Sequence, residues 1–237
     1  SDIQKQFCVP IITQPLVSNT SRPYLIQNGL QRRHIALWQS HGLYYDQRQT
    51  RWTWQRLRVF QIVEDLYTQS YVLPYLVPML ENAGANVLLP RERDTQLNEV
   101  IVDNDTKENS SRYHEQNDLM KWETTDGVGF ANTKKEYLQG ENPFKLGTSR
   151  TISSTKNSDI TSRAEWIPNI PEDGRYAVYV SYRTLENSAT DARYTVFHKG
   201  GKTEFAVNQT MNGGTWLYLG LFCFDKGRDD MAKVVLT

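Results

Sequence analysis

Two short apolar runs in the first hundred residues predict buried parallel strands. The first run, HIALWQ at 34–39, is followed by the polar loop SHG at 40–42. The second run, NVLLP at 86–90, follows the tight connection AGAN. Apolar runs of this length, bounded by turn residues, are typical of strands that are covered on both faces.

The segment between these runs predicts a helix, reached through a polar and aromatic loop at 43–63. Residues 64–83 carry one apolar stripe at helical spacing, made of Leu66, Leu73, Val77 and Leu80. Gly84 supplies a stop. Pro74 and Pro78 remove amide donors and clash with the preceding turn, so we expect a bend. The order strand, helix, strand predicts a right-handed parallel crossover.

Period-two alternation replaces this pattern in the second half of the chain. One predicted strand face carries Tyr176, Val178, Val180 and Tyr182. The pair Gly200–Gly201 predicts a hairpin turn between two further alternating runs. The run WLYLGLFCF at 216–224 is apolar on both strand faces, which predicts burial on both. We therefore predict an antiparallel β-sandwich over residues 119–237.

The predicted fold class is α/β plus all-β, in a chain of two domains. Residues 1–31 are rich in Pro, Asn and Ser and predict an extended N-terminal arm. An α/β domain then spans 32–115, and the β-sandwich spans 116–237. The boundary is placed near residue 115 because the sequence becomes strongly polar between Arg91 and Asp118.

Composition narrows the possible partners. Twenty-seven basic and 27 acidic side chains give a formal net charge of zero, so no nucleic-acid partner is expected. The sequence has no apolar run of eighteen residues or more, and we expect no membrane span. Ser1 at the start permits removal of a signal peptide. Of the two cysteines, Cys8 and Cys223, the latter is expected to be a buried free thiol, with a disulfide as the alternative.

The stretch ENAGANVLLPRERD at 81–94, with SHG at 40–42 and ED at 64–65, resembles the zinc-dependent N-acetylmuramoyl-L-alanine amidases. In that family a buried strand ends in His-Gly, a Glu begins the next helix, and the following strand ends in an Arg-rich turn closing with Asp. The resemblance implies that His41 and Glu64 are zinc ligands. It further implies that the complete protein hydrolyses the amide between N-acetylmuramic acid and L-alanine with zinc-activated water.

The match to the amidase pattern is incomplete. The family's His-Gly normally follows Asp-Pro-Gly, whereas here Gln39 and Ser40 precede it, which admits a divergent or inactive subfamily. The family's third ligand, a later His, and its general-base Glu are not identifiable, so no catalytic residue is assigned. We therefore expect this partial amidase domain to bind zinc weakly and to be inactive without the remaining C-terminal part of a parent chain.

A second resemblance covers nearly the whole C-terminal half. The blocks AEWIPNIPEDGRYAVYVSY at 164–182, ARYTVFHKGG at 192–201 and VNQTMNGGTWLYLG at 207–220 resemble the golvesin and xanthan-lyase C-terminal domain. That family is carbohydrate-binding-like, which implies peptidoglycan or another glycan as partner and a secreted, periplasmic or cell-surface location. The family usually continues into a closing strand, so we expect the last strand to be missing after VVLT.

For several residues the sequence allows both a structural and a functional role. A structural or solvated role is favoured for His34, His114 and His198, and solvated surface for Arg91, Arg93 and Asp94, which could otherwise orient substrate. Of the tryptophans that might stack on sugars, Trp166 and Trp216 are assigned to packing, and Trp122 is left open. Substrate-binding residues are therefore not assigned.

Three functions remain open. A peptidoglycan amidase is the leading hypothesis, and a non-catalytic glycan-binding or scaffolding protein is the main alternative. A xanthan-lyase-like protein ranks last, because no lyase constellation is recognisable.

Overall fold

The computed structural model describes residues 14–22, 29–91, 93–94, 96–105, 110–134, 137–138, 140–157, 159 and 161–237. Within these residues the chain is mostly β, with helical segments at 64–82 and 143–145. None of the described helices has the length and apolar character needed to cross a bilayer.

A six-stranded antiparallel sheet forms one layer of the C-terminal unit. Its strands are β1 (Val17–Asn19), β6 (Arg112–Gln116), β9 (Arg163–Ile167), β11 (Ala192–His198), β12 (Gly201–Val207) and β14 (Lys233–Leu236). They follow the order β1, β12, β11, β14, β9, β6. The sheet thus takes in residues 17–19 of the predicted arm, and β6 begins before the predicted boundary at residue 115.

A second layer consists of β10 (Gly174–Val180) and β13 (Leu217–Phe224), paired antiparallel. The largest apolar core of the described chain lies between the two layers and joins side chains from both, including Tyr176, Leu217 and Phe224 with Tyr194, Val196, Phe205 and Val207. The predicted antiparallel β architecture of the C-terminal half is confirmed. Gly201, with φ of +121°, follows the two-residue turn of the β11–β12 hairpin, as its sequence predicted.

The expectation that β13 is buried on both faces is wrong. Its pairing with β10 shifts register between Val178 and Tyr179, so that Leu219 is an extra residue on β13. Such a bulge changes which alternate residues point inward. Leu217, Leu219 and Phe224 are therefore all buried, whereas Leu221 and Cys223 are exposed. Cys223 is a free thiol on the surface rather than in the core, and Cys8 lies outside the described residues.

A separate hairpin lies against this unit. It pairs β7 (Glu123–Gly129) with β8 (Gly147–Thr151), and a 3₁₀ turn at Pro143–Lys145 precedes β8. The two strands approach closely at their glycines: a Cβ on Gly147 would lie 2.1 Å from the carbonyl oxygen of Phe130. Any other residue at this position would push the strand away from its neighbours.

The N-terminal unit contains the predicted strand, helix and parallel strand. Strands β2 (His34–Ala36) and β5 (Asn86–Leu88) pair in parallel, and each is shorter than the apolar run that predicted it. Between them lie α1 (Glu64–Tyr71), a π-helical turn (Val72–Leu76) and α2 (Val77–Asn82). Val77, Ala85 and Val87 form the buried core of this unit.

The two prolines explain why the helix is interrupted. Pro74 lies inside the π-helical turn and Pro78 in the first turn of α2, where a missing amide donor is tolerated. The predicted bend therefore takes the form of a widened turn. Gly84 ends the helix with φ of +98°, as predicted. Leu66 departs from the predicted buried stripe, because its side chain is 49% exposed.

Residues 43–54 form a hairpin where the sequence predicted a loop. Strand β3 (Leu43–Asp46) pairs antiparallel with β4 (Arg51–Trp54), and the rings of Tyr45 and Trp52 meet edge to face at 5.6 Å. A cross-strand aromatic pair of this kind stabilises a hairpin that lacks a core of its own.

Strand β1 joins the two units. On one side it pairs with β12 of the six-stranded sheet. On the other side, the backbone N–H of Leu16 donates to Nε2 of His34 at 3.0 Å, and that of Val17 donates to Oδ1 of Asn86 at 3.1 Å. His34 and Asn86 are directly opposite each other at the start of β2 and β5. His34 thus has a structural contact, in line with the reading favoured from the sequence.

We predict that Asn86→Ala lowers the free energy of unfolding by about 1–2 kcal/mol, because the half-buried Val17 N–H loses its acceptor. Urea denaturation followed by tryptophan fluorescence measures the change. Asn98→Ala is the matched control, since its side-chain bond to Glu172 is exposed. Equal effects of the two substitutions would contradict the structural role of Asn86.

Candidate functional site

The loop predicted to carry the metal ligand lies directly beyond the end of β2. Ser40 and Gly42 both have left-handed backbones, with φ of +76° and +70°. These two reversals fold residues 40–42 tightly against the start of α1. A side chain at Gly42 would also collide with the guanidinium of Arg91, so glycine is required there on two counts.

A buried aspartate holds this loop in place. Oδ1 of Asp65 accepts hydrogen bonds from the backbone N–H of His41 at 2.9 Å, from that of Gly42 at 2.7 Å, and from the Ser40 hydroxyl at 2.8 Å. The Asp65 side chain is fully buried, at 0% exposure. Burial by itself raises the pKa of Asp65, but the three hydrogen bonds outweigh it and lower the pKa below its ordinary value of 3.8.

Two arginines complete the surroundings of the loop. Nη1 of Arg91 donates to the carbonyl oxygen of Ser40 at 2.8 Å, and its guanidinium lies over the ring of Trp38. Nη2 of Arg56 lies 2.9 Å from Nε2 of His41. Arg91 is thus a structural clamp on the loop, where the sequence favoured a solvated side chain.

The predicted zinc ligands do not fit a metal centre as they are arranged. A catalytic zinc needs three protein ligands, and in the described part of the chain no group of three or more His, Cys, Asp or Glu side chains is placed to hold a metal. The guanidinium of Arg56, a cation, lies at the ring nitrogen that His41 would offer. Glu64 is exposed, and its neighbour Asp65 is the carboxylate that faces the loop. Zinc binding by His41 and Glu64 stays a prediction.

Arg93 and Asp94 connect the two units and are not solvated surface as expected. Nη1 of Arg93 forms an ion pair with Glu81 of α2 at 2.6 Å, and its guanidinium lies 3.7 Å from the ring centre of Tyr218 on β13. Oδ2 of Asp94 accepts from the backbone N–H of Ala177 on β10 at 3.1 Å. These contacts reach from the helix and β5 to the second sheet layer.

A polar cleft of about 320 Å³ opens on the β unit, between β6, β8 and the loop at 103–105. Its lining comes from four separate parts of the chain: Asn104, Asp105, Tyr113, His114, Glu115, Thr124, Thr148 and Arg150. Five of these eight residues lie in the strongly polar stretch between Arg91 and Asp118, where the sequence indicated no site. The one local signal was the alternation around Tyr113 and Glu115, which their pairing in β6 now explains.

Arg150 and Glu115 fix one wall of the cleft. Arg150 donates from Nε to Oε1 of Glu115 at 2.6 Å and from Nη2 to Oε2 at 2.8 Å, a bidentate pair. The Tyr113 hydroxyl donates to the same carboxylate at 2.6 Å. Burial raises the pKa of Glu115, but the bonds from Arg150 and Tyr113 outweigh it and lower the pKa overall. The guanidinium and the carboxylate are therefore charged and held in fixed positions.

The opposite wall is built around Thr148. Its hydroxyl donates to Oδ1 of Asp105 at 2.7 Å and accepts from Nδ2 of Asn104 at 2.9 Å. The backbone N–H of Thr148 donates to Oδ2 of Asp105, so both carboxylate oxygens of Asp105 are held in place. Carboxylate, amide and guanidinium groups together supply both donors and acceptors of hydrogen bonds.

An aromatic cluster lies beside the Asp105 end of the cleft. The ring of Trp216 packs against Phe130 at 4.9 Å and Phe144 at 5.6 Å, yet 40% of Trp216 stays exposed. The backbone carbonyl of Phe130 and the carboxylate of Asp105 both lie within 3 Å of the Cβ position of Gly147, so the backbone that carries Phe130 passes close to Asp105. Trp216 is therefore only partly a packing residue, whereas Trp166 packs on Tyr113 and Tyr194, and Trp122 is buried.

Comparison with known proteins identifies the class of the β unit. Residues 139–236 match the family model of the golvesin C-terminal domain. This match supports a golvesin-type β domain in the C-terminal part of the chain, as its three sequence blocks implied. The matched range includes Thr148 and Arg150 of the cleft but not the residues that β6 supplies.

One solved structure, that of a Paenibacillus xanthan lyase, is similar to this chain with 24% sequence identity and a TM-score of 0.34. The similarity covers 53% of this chain and 11% of that chain, so this chain spans only a small part of the lyase. No curated protein matches the chain.

We predict that Asp65→Asn lowers stability at pH 7 by about 2 kcal/mol, because three hydrogen bonds to a charged acceptor are weakened. Because folding lowers the pKa of Asp65, its contribution is complete well above pH 3.8 and is lost as the pH falls through the lower folded value. The difference between wild type and variant in urea denaturation should therefore shrink between pH 5 and pH 2. Glu64→Gln, a substitution of the exposed neighbour, should change neither the stability at pH 7 nor its dependence on pH.

We predict that zinc titrated into the full chain binds more weakly than roughly micromolar, since two ligands do not close a site. Isothermal titration calorimetry measures the affinity, with His114→Ala as a control for a histidine outside the loop. Tight binding that His41→Ala abolishes and His114→Ala spares would contradict this expectation.

Proposed function

We propose that this chain is a glycan-binding protein of the cell surface and that its golvesin-type β domain binds the glycan. The observation that carries the proposal is the polar cleft, in a domain that also holds the 40% exposed Trp216 in an aromatic cluster. Protein sites for sugars combine fixed polar groups for the hydroxyls with an aromatic face for the apolar side of the ring.

The two walls of the cleft suit this task in different ways. The Arg150–Glu115 pair is already assembled, and Arg150 also donates to the Thr124 hydroxyl and to the carbonyl of Trp122, so this wall needs no further ordering when a sugar binds. Asn104 and Asp105 offer an amide and a carboxylate on the other wall. Trp216 then supports the next ring of the glycan outside the cleft. Peptidoglycan and other cell-surface polysaccharides are the proposed partners.

Peptidoglycan amidase activity of a longer parent protein is a second candidate. It is supported by the place of the His41 loop beyond a parallel strand, with its backbone bonded to Asp65 at the start of α1. In that proposal His41 and Glu64 would supply two zinc ligands, and the remaining part of the parent chain would supply a third ligand and a base. The contact between Arg56 and His41 would have to open before a metal could bind.

Binding of the full chain to purified peptidoglycan and to soluble polysaccharides tests the first proposal, by sedimentation and calorimetry. We predict that His114→Ala and Trp216→Ala each weaken glycan binding by about tenfold, because each substitution removes one stacked or polar contact with the glycan. Trp52→Ala is the matched control, because Trp52 is 55% exposed on the other unit.

Unchanged affinity in both cleft variants would contradict the assignment of the cleft. Release of muropeptides by the full chain, lost in His41→Ala but kept in Trp216→Ala, would support the amidase candidate instead.

A further inference from the structure

Residues 47–63 combine a local excess of positive charge with an exposed apolar surface. The segment contains four arginines and no acidic residue, although the chain as a whole is neutral. All four side chains, Arg48, Arg51, Arg56 and Arg58, are exposed. The acidic residues that flank the segment are Asp46 and Glu64. The Asp46 carboxylate accepts the backbone N–H groups of Arg48 and Gln49, so it is directed into its own turn.

A tight turn holds a phenylalanine outward within this segment. Val59 and Ile62 exchange backbone hydrogen bonds of 3.0 and 2.9 Å, so Phe60 and Gln61 form a two-residue turn. Both turn residues have left-handed backbones, with φ of +50° and +66°. Such values are unfavourable for a bulky side chain, and strained positions of this kind cluster at functional sites. The turn leaves Phe60 93% exposed.

The neighbours of Phe60 are apolar and exposed as well. Leu57 is 87% exposed, and Val59 and Ile62 are each more than half exposed; Trp52, on β4 of the same segment, is 55% exposed. Aliphatic side chains offer no flat face to a sugar ring, which disfavours a glycan as the partner of this surface. Apolar side chains that enter the acyl boundary, beside arginines that meet phosphate groups, are the features of proteins that lie on a bilayer.

We propose that residues 47–63 dock this protein onto the surface of an anionic lipid bilayer. Phe60 and Leu57 enter the boundary between headgroups and acyl chains. Arg48, Arg51 and Arg58 contact lipid phosphates, while Arg56 also borders the imidazole of His41. The protein thus lies on the membrane without spanning it.

Co-sedimentation of the full chain with vesicles tests the proposal, using phosphatidylcholine vesicles with and without 30 mol% phosphatidylglycerol as a chosen composition. We expect binding only to the anionic vesicles, weakened by added salt. Arg51→Gln combined with Arg58→Gln should weaken binding about 25-fold, from roughly fivefold for each charge. Phe60→Asn should weaken it by about tenfold or more, since an apolar anchor is lost.

The variants separate loss of binding from loss of fold. Asparagine tolerates the left-handed backbone, so Phe60→Asn should keep the turn and leave stability unchanged or raised. Leu97→Ser is the matched control for apolar exposure, because Leu97 is 98% exposed in another segment. Arg175→Gln is the control for charge, on an exposed arginine of the β domain.

Three results would overturn the proposal. One is failure to bind anionic vesicles. Another is an equal effect of Phe60→Asn and Leu97→Ser. The last is a different partner for this surface: without any vesicle binding, the protein forms a dimer in light scattering or binds purified peptidoglycan, and Phe60→Asn abolishes that interaction.

Discussion

The arrangement of this chain depends on the contact between the outer edge of strand β1 and the starts of β2 and β5. An edge strand leaves a row of backbone donors unpaired, and such donors must find partners when they are buried. Leu16 and Val17 give theirs to the side chains of His34 and Asn86, which begin β2 and β5. A two-stranded parallel sheet is too small to be stable alone, so this joint lets it share the core of the β domain.

Once the starts of β2 and β5 are fixed, the positions of their far ends follow. The loop beyond β2 is fixed on the helix by Asp65, and the turn after β5 carries Arg93 to Tyr218 on the second sheet layer. Arg93 is a mostly buried side chain whose guanidinium has both a carboxylate and an aromatic face as partners. The two units therefore touch at both ends of the parallel strands.

Sequence patterns predicted the elements that depend on local order. The strand–helix–strand unit, the widened turn at Pro74 and the glycine hairpin of β11–β12 all follow from spacing and from backbone chemistry. The sequence could not predict β1, because its pairing partner β12 lies more than a hundred residues further along the chain. It could not predict β6 either, because β9 lies about fifty residues further along. The bulge at Leu219 also leaves no sign in the sequence. One inserted residue reverses the alternation, so the residues of a single inward face occupy both odd and even positions in the sequence.

The candidate sites show the same division between local and distant information. Glu64 and Asp65 are adjacent acidic residues at a helix start, and sequence alone gives no reason to prefer one. Only the fold shows that the next position along the helix faces the His41 loop, which gives Asp65 the buried role. The cleft is harder still to foresee, because its charged pair joins Glu115 on the edge strand of the six-stranded sheet to Arg150 on the β7–β8 hairpin. A strongly polar segment can therefore form one wall of a cleft, when a strand presents its alternate residues on one face.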